Sequence, residues 1–297
     1  MKILLFGKSG QLGWELSRAL APLGELIALD RHSEFSANFE DLSGLVRTIQ
    51  FFKPNIIVNA AAYTAVDKAE SEQALATIIN TEAPAILAKE CAQLGALLVH
   101  YSTDYVFDGS GHAGWQESDI PSPLNTYGLS KLRGEQEIIN SGCHHLILRT
   151  SWVYGTYGKN FIKTILRLSQ EKETIKIIND QIGAPTGAEL LADVTAHLLK
   201  AVTLNPELAG LYHLCASGET SWHGFAQYIV DELKNLEKAT TIKNLLAIPS
   251  QEYPTPALRP LNSRLNTQKL QQSFSIHLPD WRLGVTRTIR EILGSTS

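Results

Sequence analysis

The chain is 297 residues long, 44% hydrophobic and 19% charged, a balance that supports a sizeable core in one large domain or two smaller ones. Its formal net charge of −4 provides no basic field for nucleic acid or an anionic membrane surface. Cys91, Cys143 and Cys215 are scattered, odd in number and without Cys-x-x-Cys spacing, which excludes a disulfide framework or zinc knuckle as the expectation and reads each as a small buried hydrophobe.

Lys2 to Phe6 is a short apolar run, followed at once by Gly7-Lys-Ser-Gly10-Gln-Leu-Gly13 and a helical pattern through Leu20. No charged-then-apolar leader precedes it, and no run reaches the roughly 18 apolar residues of a membrane span, so a cytoplasmic protein with no membrane partner is expected. Strand, glycine turn and helix in that order open a dinucleotide-binding fold. Glycines permit the tight turn and close backbone approach, and the helix N-terminus aims free amides at a pyrophosphate. The spacing is Gly-x-x-Gly-x-x-Gly, and it does not fit a Walker phosphate loop. Glu25 to Asp30 reads as a second strand whose terminal acid suits a ribose diol, favouring NADH. Arg31 beside it offers a guanidinium to a 2′-phosphate, so NADPH is expected to be usable too.

A helix around Leu45–Phe52 and the Lys53-Pro54 break lead to a strand over Asn55–Asn59. Ala60-Ala-Ala-Tyr63 then supplies small residues, suited to a close cofactor or to tight packing. Helical stretches around Ser71–Ile79 and Ala83–Leu94 precede a fourth strand that ends in Ser102-Thr103-Asp104. Strands alternating with helices predict a right-handed parallel sheet covered on both faces, with ligand at the carboxyl ends of the strands, where Thr103 stands.

Tyr127 and Lys131 lie four apart in a predicted helix reaching about Asn140, which puts a phenol and an ammonium on one face. A free tyrosine titrates near pH 10, and a neighbouring lysine charge would lower it toward the range of efficient acid–base transfer. By itself this spacing is common; its position after a strand ending in Ser-Thr and downstream of the glycine loop gives it weight. His145 to Arg149 is another strand, and the pair His144, His145 reads as a solvated turn. Beyond Gly155 come helices over Asn160–Gln170, Ala188–Lys200 and Trp222–Leu236, strands over Thr174–Ile178 and Leu211–Leu214, a proline-marked segment Ile248–Pro260 and a helix after Trp281, itself read as packing. The expectation is an α/β protein with a Rossmann-type doubly wound parallel sheet and a smaller C-terminal substrate-binding lobe. Residues 1–155 would form the NAD(P)-binding domain carrying the Tyr/Lys pair, and 156–297 mainly the lobe, partly interleaved with it.

Together, Gly7-x-x-Gly10-x-x-Gly13, Asp30, Ser102-Thr103 and Tyr127-x-x-x-Lys131 resemble an extended short-chain dehydrogenase/reductase acting on a nucleotide sugar. Asn59 to Asp67, Tyr101 to Asp108, Arg149 to Tyr154, Asp180 to Thr186 and Arg259 to Ser263 are similar to members that reduce a 4-keto-6-deoxy sugar on dTDP. The resemblance spans essentially the whole chain. It implies reduction to dTDP-L-rhamnose, the last step in making a sugar donor for cell-surface polysaccharide such as O-antigen. Hydride would reach C4 of the sugar while Tyr127 gives a proton, Lys131 binds the nicotinamide ribose and lowers the tyrosine pKa, and Thr103 hydrogen-bonds the carbonyl oxygen. Gly7 and Gly13 would shape the loop, with Gly10, Gln11 and Leu12 lining the pyrophosphate. Asp30 and Arg31 would meet the adenosine ribose, Asn38 and Phe39 the adenine, and Ala61, Ala62, Tyr63 and Ser102 the rest of the cofactor. Thr103, Asp104, Tyr127 and Trp152 would contact the sugar. Some members use magnesium at a homodimer contact through acids matching Glu15 and Glu189; from spacing alone these are solvated helix carboxylates. Arg259 and Arg264 read equally as diphosphate contacts or as surface arginines.

Related nucleotide-sugar enzymes remain as alternatives. A 4,6-dehydratase shares the Thr-Tyr-Lys set but follows its threonine with Asp-Glu, whereas Tyr105 follows Asp104 here, which argues against dehydration. An epimerase would retain NAD and return the hydride. A non-catalytic role, like that of the regulatory subunit of methionine adenosyltransferase, fits poorly with intact Thr103, Tyr127 and Lys131.

Overall fold

The computed structural model describes residues 1–294. The chain opens with β1 (Lys2–Phe6), α1 (Gln11–Leu20), β2 (Glu25–Leu29), α2 (Leu42–Phe52) and β3 (Ile56–Asn59). Short helices α3 (Val66–Ala69) and α4 (Gln73–Thr77) lead into α5 (Ala83–Leu94), β4 (Leu97–Thr103), α6 (Thr126–Asn140) and β5 (His145–Thr150). Then come β6 (Val153–Tyr154), α7 (Phe161–Glu171), β7 (Thr174–Ile178), β8 (Ile182–Gly183), β9 (Thr186–Gly187), α8 (Ala188–Leu204) and β10 (Gly210–His213). The last elements are β11 (Thr220–Ser221), α9 (Trp222–Asn235), β12 (Asn244–Ile248), α10 (Gln268–Phe274) and α11 (Trp281–Leu293). Among the described residues no helix is long and apolar enough to cross a membrane.

Six parallel strands form the central sheet in the order β10-β5-β4-β3-β1-β2. Their apolar runs are divided by the pleat, because alternate side chains leave opposite faces. Ile3, Leu5, Val58, Val99 and Leu148 pack toward α1, α8 and α10, whereas Leu4, Phe6, Ile57, Leu98 and Ile147 pack toward α2, α5 and α6. This is the doubly wound α/β arrangement, and strand order reverses between β1 and β3, where such sheets open a crevice for ligand.

The C-terminal part does not form a separate bead. After β5 the chain enters a lobe whose core joins Ile162 and Ile165 of α7, Phe225 and Ile229 of α9, and Trp281, Val285 and Ile289 of α11. It then returns, because α8 packs on α1 and β10 adds the last strand beside β5. Another excursion through α9 and β12 ends when α10 covers β10, with the Tyr212 and Phe274 rings edge to face at 5.2 Å.

One local element departs from the sequence expectation. The helix expected around Ser71–Ile79 is α4 running through a π-helical turn, Ile78–Glu82, directly into α5. The wider turn points Asn80 inward, where its side chain accepts from Tyr63 N at 2.9 Å and donates to Tyr63 O and Ser130 Oγ at 3.0 Å. A π turn at a ligand crevice is a recurrent use of this geometry.

The glycine loop is set by backbone contact. Gly7 has φ +89°, and a Cβ there would lie 2.7 Å from Ala61 N; at Gly13 a Cβ would lie 1.9 Å from Gly7 O. We expect Gly13→Ala to destabilise the protein by about 1–3 kcal/mol in urea unfolding. Gly10→Ala, whose Cβ would be 3.4 Å from its nearest neighbour, should stay within about 0.5 kcal/mol of the parent.

Candidate active site

The helix α1 begins at Gly10 without any side-chain cap, so the amides of its first turn remain available at the carboxyl edge of β1. Together with the Gly7–Gly13 cradle, which a Cβ at Gly7 or Gly13 would crowd, this matches what a dinucleotide pyrophosphate requires. Gln11 is tied down by Asn160, whose Nδ2 donates to Gln11 Oε1 at 2.9 Å and to Gly155 O at 2.7 Å. Leu12 is half-buried against the sheet. Asp30 follows β2 and accepts from His32 N at 3.0 Å and from Ser33 Oγ at 3.2 Å. Burial pushes its carboxyl upward, but these bonds outweigh it and hold the acid below its ordinary value. Arg31 is exposed and donates to His32 Nε2 at 3.2 Å. Asn38 Oδ1 accepts from Glu40 N, and Phe39, only 4% exposed, turns its ring into the core against Phe6 at 5.7 Å. Any adenine at this edge would therefore meet backbone at Phe39 and not its ring. Ala61 and Ala62 are half-buried opposite Gly7, and Tyr63 is half-buried with its hydroxyl on Glu72.

Thr103, at the end of β4, and Tyr127, in the first turn of α6, are brought together. The helix is positioned by Asn125, its N-cap, which accepts from Gly128 N at 2.8 Å. Gly128 is needed there, since a Cβ would lie 2.1 Å from Tyr105 O. Thr103 Oγ1 donates to Asp104 Oδ1 at 3.1 Å and accepts from Tyr105 N at 3.2 Å. Burial raises the Asp104 carboxyl to about 6, while hydrogen bonds from Ser263 and Thr103 pull it back only in part. Ser102 Oγ and Asp104 Oδ2 are buried without a partner.

The Tyr127 and Lys131 side chains stand on one face of α6, and the lysine tip reaches toward β4. Burial raises that phenol to about 12, although its hydrogen bond with Thr103 works in the opposite direction and the Asp104 charge adds to the rise. Lys131 Nζ donates to Tyr101 O at 2.6 Å and faces His100 Nε2 at 3.0 Å. Burial lowers the lysine to about 8, with Glu135 opposing the drop.

On the opposite wall, Trp152 has φ +48°, a left-handed conformation rare for a large residue, and its indole stacks on Trp222 at 3.7 Å. Gly183 makes room, since a Cβ there would lie 2.8 Å from the Trp152 ring. Beyond it lies a groove of about 330 Å³ lined by Phe161, Ile175, Ile177, Gln181, Trp222 and Arg259, among others. Arg259 borders this groove and pairs with Asp67 at 2.7 Å, whereas Arg264 is held in a fork by Glu219. Each of the two arginines left equivalent by the sequence is thus paired with a carboxylate, and what separates them is that Arg259 lines this groove and Arg264 does not.

Several contributors were given no place in the site from sequence: Asn59, Asn80, His100, Tyr105, Trp222 and Ser263. The available signal was a polar residue inside an apolar strand, as at Asn59 and His100. Tyr105 touches the Tyr127 ring edge to face at 5.7 Å. Glu15 and Glu189 line one pocket of about 230 Å³. Each is already paired, with Arg18 at 3.1 Å and Arg287 at 2.9 Å, and no metal-holding group of three His, Cys, Asp or Glu occurs among the described residues. Within one chain these acids do not fit a magnesium site.

The family model described as the RmlD substrate binding domain matches residues 1–293. The chain is 53% identical over 298 residues to a dTDP-4-dehydrorhamnose reductase of Salmonella typhimurium, covering all of both chains. Its structure is similar to that of a dTDP-4-dehydrorhamnose reductase from Clostridium acetobutylicum, with TM-score 0.90, 32% identity and coverage of 99% and 100% of the two chains. It is likewise similar to the Bacillus anthracis enzyme of that name solved in complex with NADP, with TM-score 0.87, 34% identity and coverage of 98% and 99%.

Beneath the site, Arg149 of β5 and Glu135 of α6 form a fully buried fork, with Nη2 to Oε2 at 2.6 Å and Nε to Oε1 at 2.9 Å. Removing one charge leaves the other buried and unpaired, so Glu135→Gln should lose about 3–5 kcal/mol in denaturant unfolding, whereas replacing both partners by methionine should recover most of that loss.

Proposed function

The chain belongs to the RmlD substrate binding domain family, and on that premise we propose that it reduces dTDP-4-dehydro-6-deoxy-L-mannose to dTDP-L-rhamnose with NAD(P)H. The observation that carries the reading is the meeting of Thr103 and Tyr127 beside Lys131, at the carboxyl edge of a sheet that also carries an uncapped glycine-helix cradle. Gly7, Gly10, Gln11, Leu12 and Gly13 would hold the pyrophosphate, Asp30 the adenosine ribose, and Ala61, Ala62, Tyr63 and Ser102 the remaining cofactor surface. The bound dihydronicotinamide supplies hydride for C4 of the sugar. Asp30, ionised and accepting only from its own turn, suits a ribose diol; Arg31 at the next position suits a 2′-phosphate, so both cofactors are used.

Tyr127 is the acid. Because burial keeps its proton in place near neutrality, it can give that proton to the alkoxide forming at C4. Thr103 orients the same oxygen, its own hydroxyl fixed by Asp104 and the Tyr105 amide. Lys131 positions the nicotinamide ribose. Trp152 walls the sugar, and the lobe groove beside Arg259 is suited to the nucleotide, with apolar sides for a base and a guanidinium for a phosphate.

The test is NAD(P)H oxidation with the 4-keto sugar nucleotide in parent and Tyr127→Phe enzymes. The variant should lose about 10²–10⁴-fold in turnover while binding the cofactor unchanged. Full turnover by Tyr127→Phe would remove the phenol from the reaction.

A further inference from the structure

A loop of the lobe closes on the start of α1. Residues 155–160, between β6 and α7, approach that helix at three points. The Tyr157 ring stacks on Trp14 at 4.9 Å. Gly158, at φ +74°, lies so near that a Cβ there would be 2.8 Å from Gln11 Cγ. Asn160 bonds to Gln11 across 149 positions of sequence. The roles of the two amides follow from what their neighbours are able to do. Lys163 N can only donate, and it donates to Asn160 Oδ1 at 3.1 Å, the N-cap bond of α7. Gly155 O can only accept, and it lies 2.7 Å from Asn160 Nδ2. Both ends of the Asn160 amide are thereby assigned. The second hydrogen on Nδ2 meets the Gln11 atom 2.9 Å away, which must be the acceptor, Oε1. Gln11 Nε2, a donor only, is then the end of that amide left for a ligand.

We propose that Asn160 is a positioning residue for the cofactor, holding the Gln11 amide so that its N–H groups, and not its oxygen, meet the pyrophosphate. Gln11 is the first residue of α1, beside the uncapped amides of the first turn. An anion at that edge is bound by donors. Two further N–H groups add to them, whereas an outward oxygen would oppose the negative charge. A glutamine without Asn160 would swing and turn freely, and its ordering would be charged to cofactor binding; one already fixed has that cost removed. Asn160 stands beyond residues 1–155, so the cofactor site is completed from the lobe. The same residue caps α7, whose Phe161 and Ile165 line the groove beside Arg259. The stacked Trp14 and Tyr157 and the close seat of Gly158 hold the loop where this bond can form.

The inference rests on the proposed meeting of Gln11 with the pyrophosphate, and a double-mutant cycle separates the two. NADP+ binding to the full chain is measured by calorimetry in four forms: parent, Gln11→Ala, Asn160→Ser and the double variant. Serine caps a helix about as well as asparagine but is too short to reach Gln11, so α7 keeps its start, and thermal unfolding checks that the variant is folded. Asn160→Ser should raise the Kd about two- to tenfold. In the Gln11→Ala background it should have no further effect, because the residue it acts through is gone. An unchanged Kd in Gln11→Ala alone would mean that the pyrophosphate does not meet Gln11, and the inference would fall together with that reading. If Gln11→Ala weakens binding but Asn160→Ser does not, the reading stands and the inference is overturned. It is overturned equally if the serine effect persists in full without Gln11, the result expected of a purely structural role in α7.

Discussion

A parallel sheet covered on both faces gives its strands no water, so the polar side chains of the active edge find their partners inside the protein, with Ser102 Oγ and Asp104 Oδ2 as exceptions. That constraint organises this molecule more than any single contact. At the carboxyl edge, Asn59, His100 and Lys131 satisfy one another and the Ala61 and Tyr101 backbone. Glu135 and Arg149 close on each other beneath them. Asn80, turned inward by the π-helical turn, ties the loop after β3 to Ser130 on α6. Thr103 and Tyr127 stand on this pre-paired floor, and their orientation follows from it.

A second constraint is proximity. The loop from Gly7 to Gly13 lies so close to Ala60 and Ala61 that backbone meets backbone, and this places the start of α1 at the strand-order reversal. Across the crevice, Trp152 holds a left-handed backbone, a conformation worth about 1–3 kcal/mol of local strain that its stacking on Trp222 and the opening at Gly183 offset. Because the chain crosses between sheet and lobe repeatedly, with α8, β10 and α10 all returning to the sheet, the two walls of the crevice are held by several connections.

Much of this was legible from the sequence, and the parts that were not share a physical cause. The strand–glycine–helix opening, the acid ending β2, and the Thr103 and Tyr127 positions are local patterns set by chain geometry, and they stand at the carboxyl edge as their spacing implied. The partners of Lys131 were not legible, because an i,i+4 spacing shows that two side chains share a face but says nothing of where the lysine tip goes; a carbonyl and an imidazole from β4 claim it. Phe39, set beside an adenine by the resemblance alone, keeps its ring in the core beside Phe6 and offers that edge its backbone. Arg259 and Arg264 are told apart by the groove that Arg259 lines, built from Phe161, Ile175, Ile177 and Trp222 far away along the chain. The π turn arises from the tertiary demand on Asn80, which no helix propensity encodes.

The measurement that bears most directly on the account follows the hydride. With NADPH carrying deuterium at the transferable position and the 4-keto sugar nucleotide as substrate, the account predicts dTDP-L-rhamnose with deuterium at C4 of the sugar and one oxidised cofactor per product. Sugar product formed without deuterium or net cofactor oxidation would contradict it, and would mean that the hydride is returned as in an epimerase.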